Sequence, residues 1–138
     1  MLQEEKLTVT AKNDGVKIIL VVEDDHDTQG FFSEALSMLT PYHIQIVRNG
    51  TEALDRVKQI KPNLFLLDYH LPKMNGIELF DCLHAIPELE NIPAVIISAT
   101  TTEHMKREIE GRKLKYIEKP FDLDVFLGTI EQEIAIGG

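Results

Sequence analysis

The sequence predicts an α/β domain, a parallel sheet with helices on both faces. Two observations carry this. Short apolar runs at Ile18-Ile19-Leu20-Val21-Val22, Leu64-Phe65-Leu66-Leu67 and Ala94-Val95-Ile96-Ile97 read as strands buried on both faces. After each run the apolar residues change to a helical period, and strand–helix alternation with that pattern yields a parallel sheet. A third observation bears on function: polar residues stand where each strand should leave the sheet, the edge at which ligands bind in open α/β sheets.

Residues 1–15 are polar and aperiodic, and they close with the turn signal Asn13-Asp14-Gly15. They are expected to form a flexible tail, within which Leu7-Thr8-Val9-Thr10 alternates like an edge strand. The domain is expected to span 16–138. The first strand, 18–22, runs into Glu23-Asp24-Asp25, three acids whose repulsion needs a cation or a helix N-terminus. Phe31, Phe32, Ala35, Leu36 and Leu39 make the apolar stripe of the first helix, which Pro41 ends. A second strand over 44–47 leads through Asn49-Gly50 to a helix with Ala53, Leu54, Val57 and Ile60 inward, stopped by Lys61-Pro62.

The third strand ends on Asp68, and Pro72 and Asn75-Gly76 turn the chain into a helix over 76–86. Asn75 is its predicted N-cap, and Ile77, Phe80 and Leu83 are its core residues. The fourth strand ends at Ser98. Thr100 and Glu103 have capping-box spacing and predict a helix to about Gly111, anchored by Met105 and Ile109. Tyr116-Ile117-Glu118 is a short fifth strand before Lys119-Pro120. Asp122 caps a last helix with Val125, Phe126, Ile130 and Ile134 inward.

With 138 residues the chain is long enough for one cored domain and too short for two ordinary ones. Its net charge of −9 repels phosphate backbones, so nucleic acid is not an expected partner. No membrane span or signal peptide is visible, and a cytoplasmic location is expected. The single Cys82 excludes an internal disulfide, and its neighbours Leu79, Phe80 and Leu83 suggest a small, partly buried core residue.

The strand ends supply Glu23, Asp24, Asp68, Ser98 and Lys119, which a parallel sheet brings to one edge. Crowded carboxylates hold protons unless a hard cation is present. An all-oxygen set with open water positions fits Mg²⁺, and the five histidines lack zinc-ligand spacing. A cation, a lysine and a hydroxyl around one carboxylate suit phosphoryl transfer, with Asp68 as the nucleophile.

Four motifs then carry a family resemblance: Val22-Glu23-Asp24-Asp25; Leu67 through Gly76; Ile97-Ser98-Ala99; and Tyr116 through Phe121. Over roughly residues 16–136 the chain resembles the receiver domains of two-component response regulators, chemotaxis receivers among them. The resemblance implies a doubly wound, flavodoxin-like sheet of order 2-1-3-4-5 with five helices. It implies Asp68 as the phosphoacceptor. Glu23, Asp24, Asp68 and the backbone carbonyl of His70 would form the Mg²⁺ site. Ser98, Lys119 and Tyr116 would act as phosphate-contacting and switch residues. His70 and Thr100 would tune the lifetime of the acyl phosphate.

The implied donor is a sensor histidine kinase or a histidine phosphotransfer protein, in a phosphorelay. The output is a protein target bound on the face of the fourth helix, fifth strand and fifth helix. Homodimerisation stays open. The only chemistry expected is self-phosphorylation and autodephosphorylation. The family's usual Gly-Ala pair before the fifth strand is replaced by Arg112-Lys113-Leu114-Lys115, either a partner-specificity segment or a solvated loop. The alternatives are a phosphorylation-independent interaction module and a metal-dependent phosphatase with an aspartyl nucleophile. For the phosphatase, His70 stands where the usual second acid would be, and the chain has no space for a cap insertion.

Overall fold

The computed structural model describes residues 15–137, so residues 1–14 of the expected tail, with its edge strand, lie outside the described residues. Five strands are present: β1 (Ile18–Val22), β2 (His43–Val47), β3 (Leu64–Asp68), β4 (Ala94–Ser98) and β5 (Lys115–Glu118). The helices are α1 (His26–Leu39), α2 (Gly50–Arg56), α3 (Gly76–His84), α4 (Glu103–Gly111) and α5 (Leu123–Gly137). A 3₁₀ turn, Pro87–Leu89, follows α3. All strand pairs are parallel, in the order β2-β1-β3-β4-β5 that the resemblance implied.

Alternation along the strands divides the core. Leu20, Val22, Phe65, Leu67, Ala94 and Ile96 pack with residues of α2, α3 and α4. Ile19, Val21, Leu64, Leu66, Val95 and Ile97 pack with Phe32 and Leu36 of α1 and Phe126, Ile130 and Ile134 of α5. Every residue of β1, β3 and β4 is buried, which accounts for their continuous apolar runs. No described helix is long and apolar enough to cross a membrane.

Several expected core positions differ. Phe31 and Leu39 are exposed, because the inward arc of α1 is already filled by Phe32, Ala35 and Leu36. Phe31 packs sideways, with ring centroids 5.7 Å from Phe32 and 5.9 Å from Phe121. Val125 lies about 100° round the helix from buried Phe126 and is exposed. Cys82 is exposed for the same reason, since Leu79 and Leu83 take the inward places of α3.

Two helices stop early. The helix proposed to reach Lys61-Pro62 ends at Arg56, and Ile60 reaches the core from the turn beyond it. Helix α3 stops at His84, two residues short of the predicted end. The N-cap of α4 is Thr102, not Thr100. The backbone of Thr100 is committed to a turn with Ser98, so the helix starts later.

Candidate functional site

Period-2 alternation explains why distant residues meet. Glu23 follows Ile19 and Val21, Asp68 follows Leu64 and Leu66, and Lys119 follows Ile117, so all three continue the α1–α5 face. The ladder extends past the strand ends to hold them. The Glu23 amide donates to the Val47 carbonyl (3.0 Å), Tyr69 to Ile97 (2.8 Å) and Lys119 to Ser98 (2.8 Å). As a result, carboxylate oxygens of Glu23, Asp24 and Asp68 lie within 4.8 Å of one another. Glu23 and Asp68 are buried, and Asp24 is exposed at the mouth.

The turn after β3 closes tightly on Asp68. The His70 amide donates to Asp68 Oδ1 at 3.1 Å. Lys73 takes a left-handed φ of 69° inside a three-residue turn, in which the Met74 amide donates to the Pro72 carbonyl. Gly76 comes so close that an added Cβ would sit 2.6 Å from the Asp68 carbonyl oxygen. Asn75 then starts α3 as predicted. Its side chain accepts from the Ile77 and Glu78 amides, and Glu78 reaches back to the Asn75 amide, a complete capping box.

Glu23 carries the strongest electrostatic tension. Burial, chiefly, and the neighbouring Asp68 push its carboxyl up to about 7, against the Asp25 amide and Lys119, which pull the other way. Glu23 Oε2 accepts from the Asp25 amide at 3.1 Å. Glu23 Oε1 is buried without a hydrogen bond, and the Lys119 ammonium stands 3.7 Å from it. An orphaned buried carboxylate oxygen beside two further carboxylates is a donor set for a hard dication. The residues present therefore fit Mg²⁺.

Ser98 is fully buried. Its hydroxyl donates to the Thr100 carbonyl, accepts from the Thr100 amide at 3.2 Å and stands 3.5 Å from His70 Nε2. It makes no hydrogen bond to Asp68. The two proposed lifetime-tuning residues thus both touch the proposed switch hydroxyl. The Tyr116 side chain is partly turned to solvent, with the residue 38% exposed.

The specific contacts of three residues escaped the sequence reading. Asp25 is the N-cap of α1, accepting from the Thr28 amide (2.8 Å) and hydroxyl (2.6 Å), which pulls its carboxyl below the usual range. The signal was present, an acid three residues before Thr28 at a strand-to-helix junction. Gln29 Nε2 donates to the Glu23 carbonyl at 2.6 Å and props the acidic loop. Arg112 forks onto Asp81, 31 residues away, a pairing without a local signal.

The chain is similar to known proteins in sequence and in fold. The polar-differentiation response regulator DivK of Brucella anthropi is 31% identical over 116 residues, covering 83% of this chain and 94% of that protein. A hybrid signal transduction histidine kinase D of Dictyostelium discoideum is 27% identical over 114 residues, 82% of this chain, which spans only 7% of that protein. The receiver domain of a Pseudomonas aeruginosa sensor histidine kinase, solved with magnesium in its active-site cleft, shares the fold. It superposes with a TM-score of 0.78 at 20% identity, over 88% of this chain and 99% of that one. The family model for the response regulator receiver domain matches residues 19–131, and with the 2-1-3-4-5 sheet and the acidic edge already described, the chain belongs to that family.

Proposed function

We propose that this chain is a phosphorylation switch that receives a phosphoryl group on Asp68 and changes a protein-binding face in response. The observation that carries the reading is the cluster of buried Glu23 and Asp68 with Asp24 at its exposed mouth, and Lys119 beside Glu23. Mg²⁺ held by those carboxylates and the His70 carbonyl would neutralise charge on the transferring phosphoryl oxygens. The rest falls to the chain's own groups. A carboxylate oxygen of Asp68 attacks phosphorus. The bond from phosphorus to the donor's histidine nitrogen breaks, and the imidazole leaves with that electron pair and takes a proton. The Lys119 ammonium, now shared with Glu23, is in reach of the arriving negative charge.

The response starts at Ser98. Its hydroxyl leaves the Thr100 carbonyl to donate to a phosphoryl oxygen, so the loop before α4 has to move with it. Tyr116 has room to follow, and the surface of α4, β5 and α5 is the face that changes. The donor is a phosphohistidine on a sensor kinase or a phosphotransfer protein, and the output is a protein bound on that face. The chain acts in the cytoplasm and turns over no substrate beyond its own acyl phosphate.

The test is intact mass after incubation with Mg²⁺ and a small acyl-phosphate donor. Wild type gains one phosphoryl group, the gain disappears when Mg²⁺ is chelated, and Asp68→Asn gains none. An equal adduct on Asp68→Asn would remove Asp68 from this role.

A further inference from the structure

The segment Arg112-Lys113-Leu114-Lys115, which leads into β5 where the resemblance implies a small pair, has a structural consequence. Arg112 is the C-cap of α4. Its Nε donates to Asp81 Oδ1 and its Nη2 to Asp81 Oδ2, each at 2.8 Å, a two-pronged tie to α3. Its Nη1 donates to the Glu108 carbonyl at 2.9 Å, in the last turn of α4. Behind the fork the backbone makes a closed C-terminal motif, with Lys113 donating to Glu110 and Leu114 to Ile109, both at 3.0 Å. Lys113 holds the left-handed position of that motif at φ 58°.

Little else holds α4. Only Met105 and Ile109 are buried, and its other polar pairings, the Lys106–Glu103 ion pair and the His104–Glu108 contact, lie within the helix. Among the described residues, the Arg112–Asp81 fork is the one side-chain ion pair joining α4 and its caps to another helix. The opposite end of α4 begins at Thr102, four residues after Ser98.

We propose that the Asp81–Arg112 fork is a pin that holds the C-terminal end of α4 on α3, so that α4 responds to the site by moving at its N-terminal end alone. The proposal rests on the phosphorylation-switch reading for its trigger, but the pin itself does not. A helix held at one end and pulled at the other pivots, so the motion is largest at Thr102–Met105 and least at Ile109–Leu114.

Amide hydrogen exchange tests it, with and without Mg²⁺ and beryllofluoride as a phosphoryl mimic. Without the mimic, Asp81→Asn and Arg112→Lys both speed exchange of the Lys113 and Leu114 amides about threefold, while the amides of β3 keep wild-type rates. With the mimic, wild type changes at the N-terminal turn of α4 and stays unchanged at 109–114, and in either variant the change spreads to 109–114. Unchanged resting exchange in both variants overturns the pin, as does a wild-type mimic response equal at both ends. A wild type that shows no mimic response anywhere overturns the switch reading instead, while the resting comparison still decides the pin.

Discussion

The two sides of the site are built differently. On the β3–α3 side, Asp68 is followed by a tight turn, a glycine against its carbonyl, a full capping box and a helix with Gly76, Ile77, Leu79, Phe80 and Leu83 buried. On the β4–α4 side, Ser98 is followed by an exposed loop, a single-residue cap and a helix with two buried residues. Asp68, the proposed acceptor, is thus fixed in place, and the side that carries the proposed responder Ser98 is lightly held. A charge event at Asp68 has little local slack to deform, so the low-stability side is the one that can move. Three substitutions break or sharpen this contrast.

Gly76→Ala should have the largest effect. A Cβ 2.6 Å from the Asp68 carbonyl oxygen meets backbone that cannot swing away. The loss should be about 3 kcal/mol in denaturant unfolding, with slower phosphorylation because the Asp68 backbone is displaced. A loss below about 1 kcal/mol would show that the acceptor side is more compliant than its geometry implies.

Glu23→Gln comes next and is read through pH. The Glu23 carboxyl is raised in the folded protein from 4.5 to about 7. Between those values the folded state binds the extra proton, so this residue's contribution to stability falls as pH rises through that window and then levels off. In metal-free buffer the variant should therefore be more stable than wild type by roughly 2 kcal/mol at pH 8, and nearly equal at pH 4. The same substitution should weaken Mg²⁺ binding. Equal stability differences at both pH values would show that the carboxyl is not under this tension.

Lys113→Gly should have the smallest effect, with the sign opposite to that of Gly76→Ala. It relieves a side chain at φ 58° but adds freedom to the unfolded chain, for a net gain of about 0.5 kcal/mol in thermal unfolding. A loss instead would mean that the Lys113 side chain makes a contribution beyond its backbone position.

Much of the molecule was legible in the residues. Strands β1, β3 and β4 announce themselves because burial on both faces demands unbroken apolar runs. The N-cap role of Asn75 follows from local spacing, as does the anchoring of α4 by Met105 and Ile109. The residues at the strand ends could be named because a parallel sheet brings all such ends to one edge. The choice of which flanking residues of α1, α3 and α5 stay outside was less legible. Phe31, Cys82 and Val125 lie one helical step from the inward arc, and only the neighbouring element decides whether that step is covered. Thr100 was misread as a cap because the competing partner of its backbone, the Ser98 hydroxyl, is a tertiary matter of the loop.

The sequence by itself determined the α/β class, the five strands and the acidic edge with Asp68 on it, since these depend on local periodicity and on one rule of sheet geometry. The tertiary structure alone decided three things. It stranded Glu23 Oε1 in a buried position, turned the Ser98 hydroxyl toward Thr100, and joined Arg112 to Asp81. Each depends on the distance and burial of groups on different elements or in a folded loop, and a one-dimensional pattern does not contain those quantities.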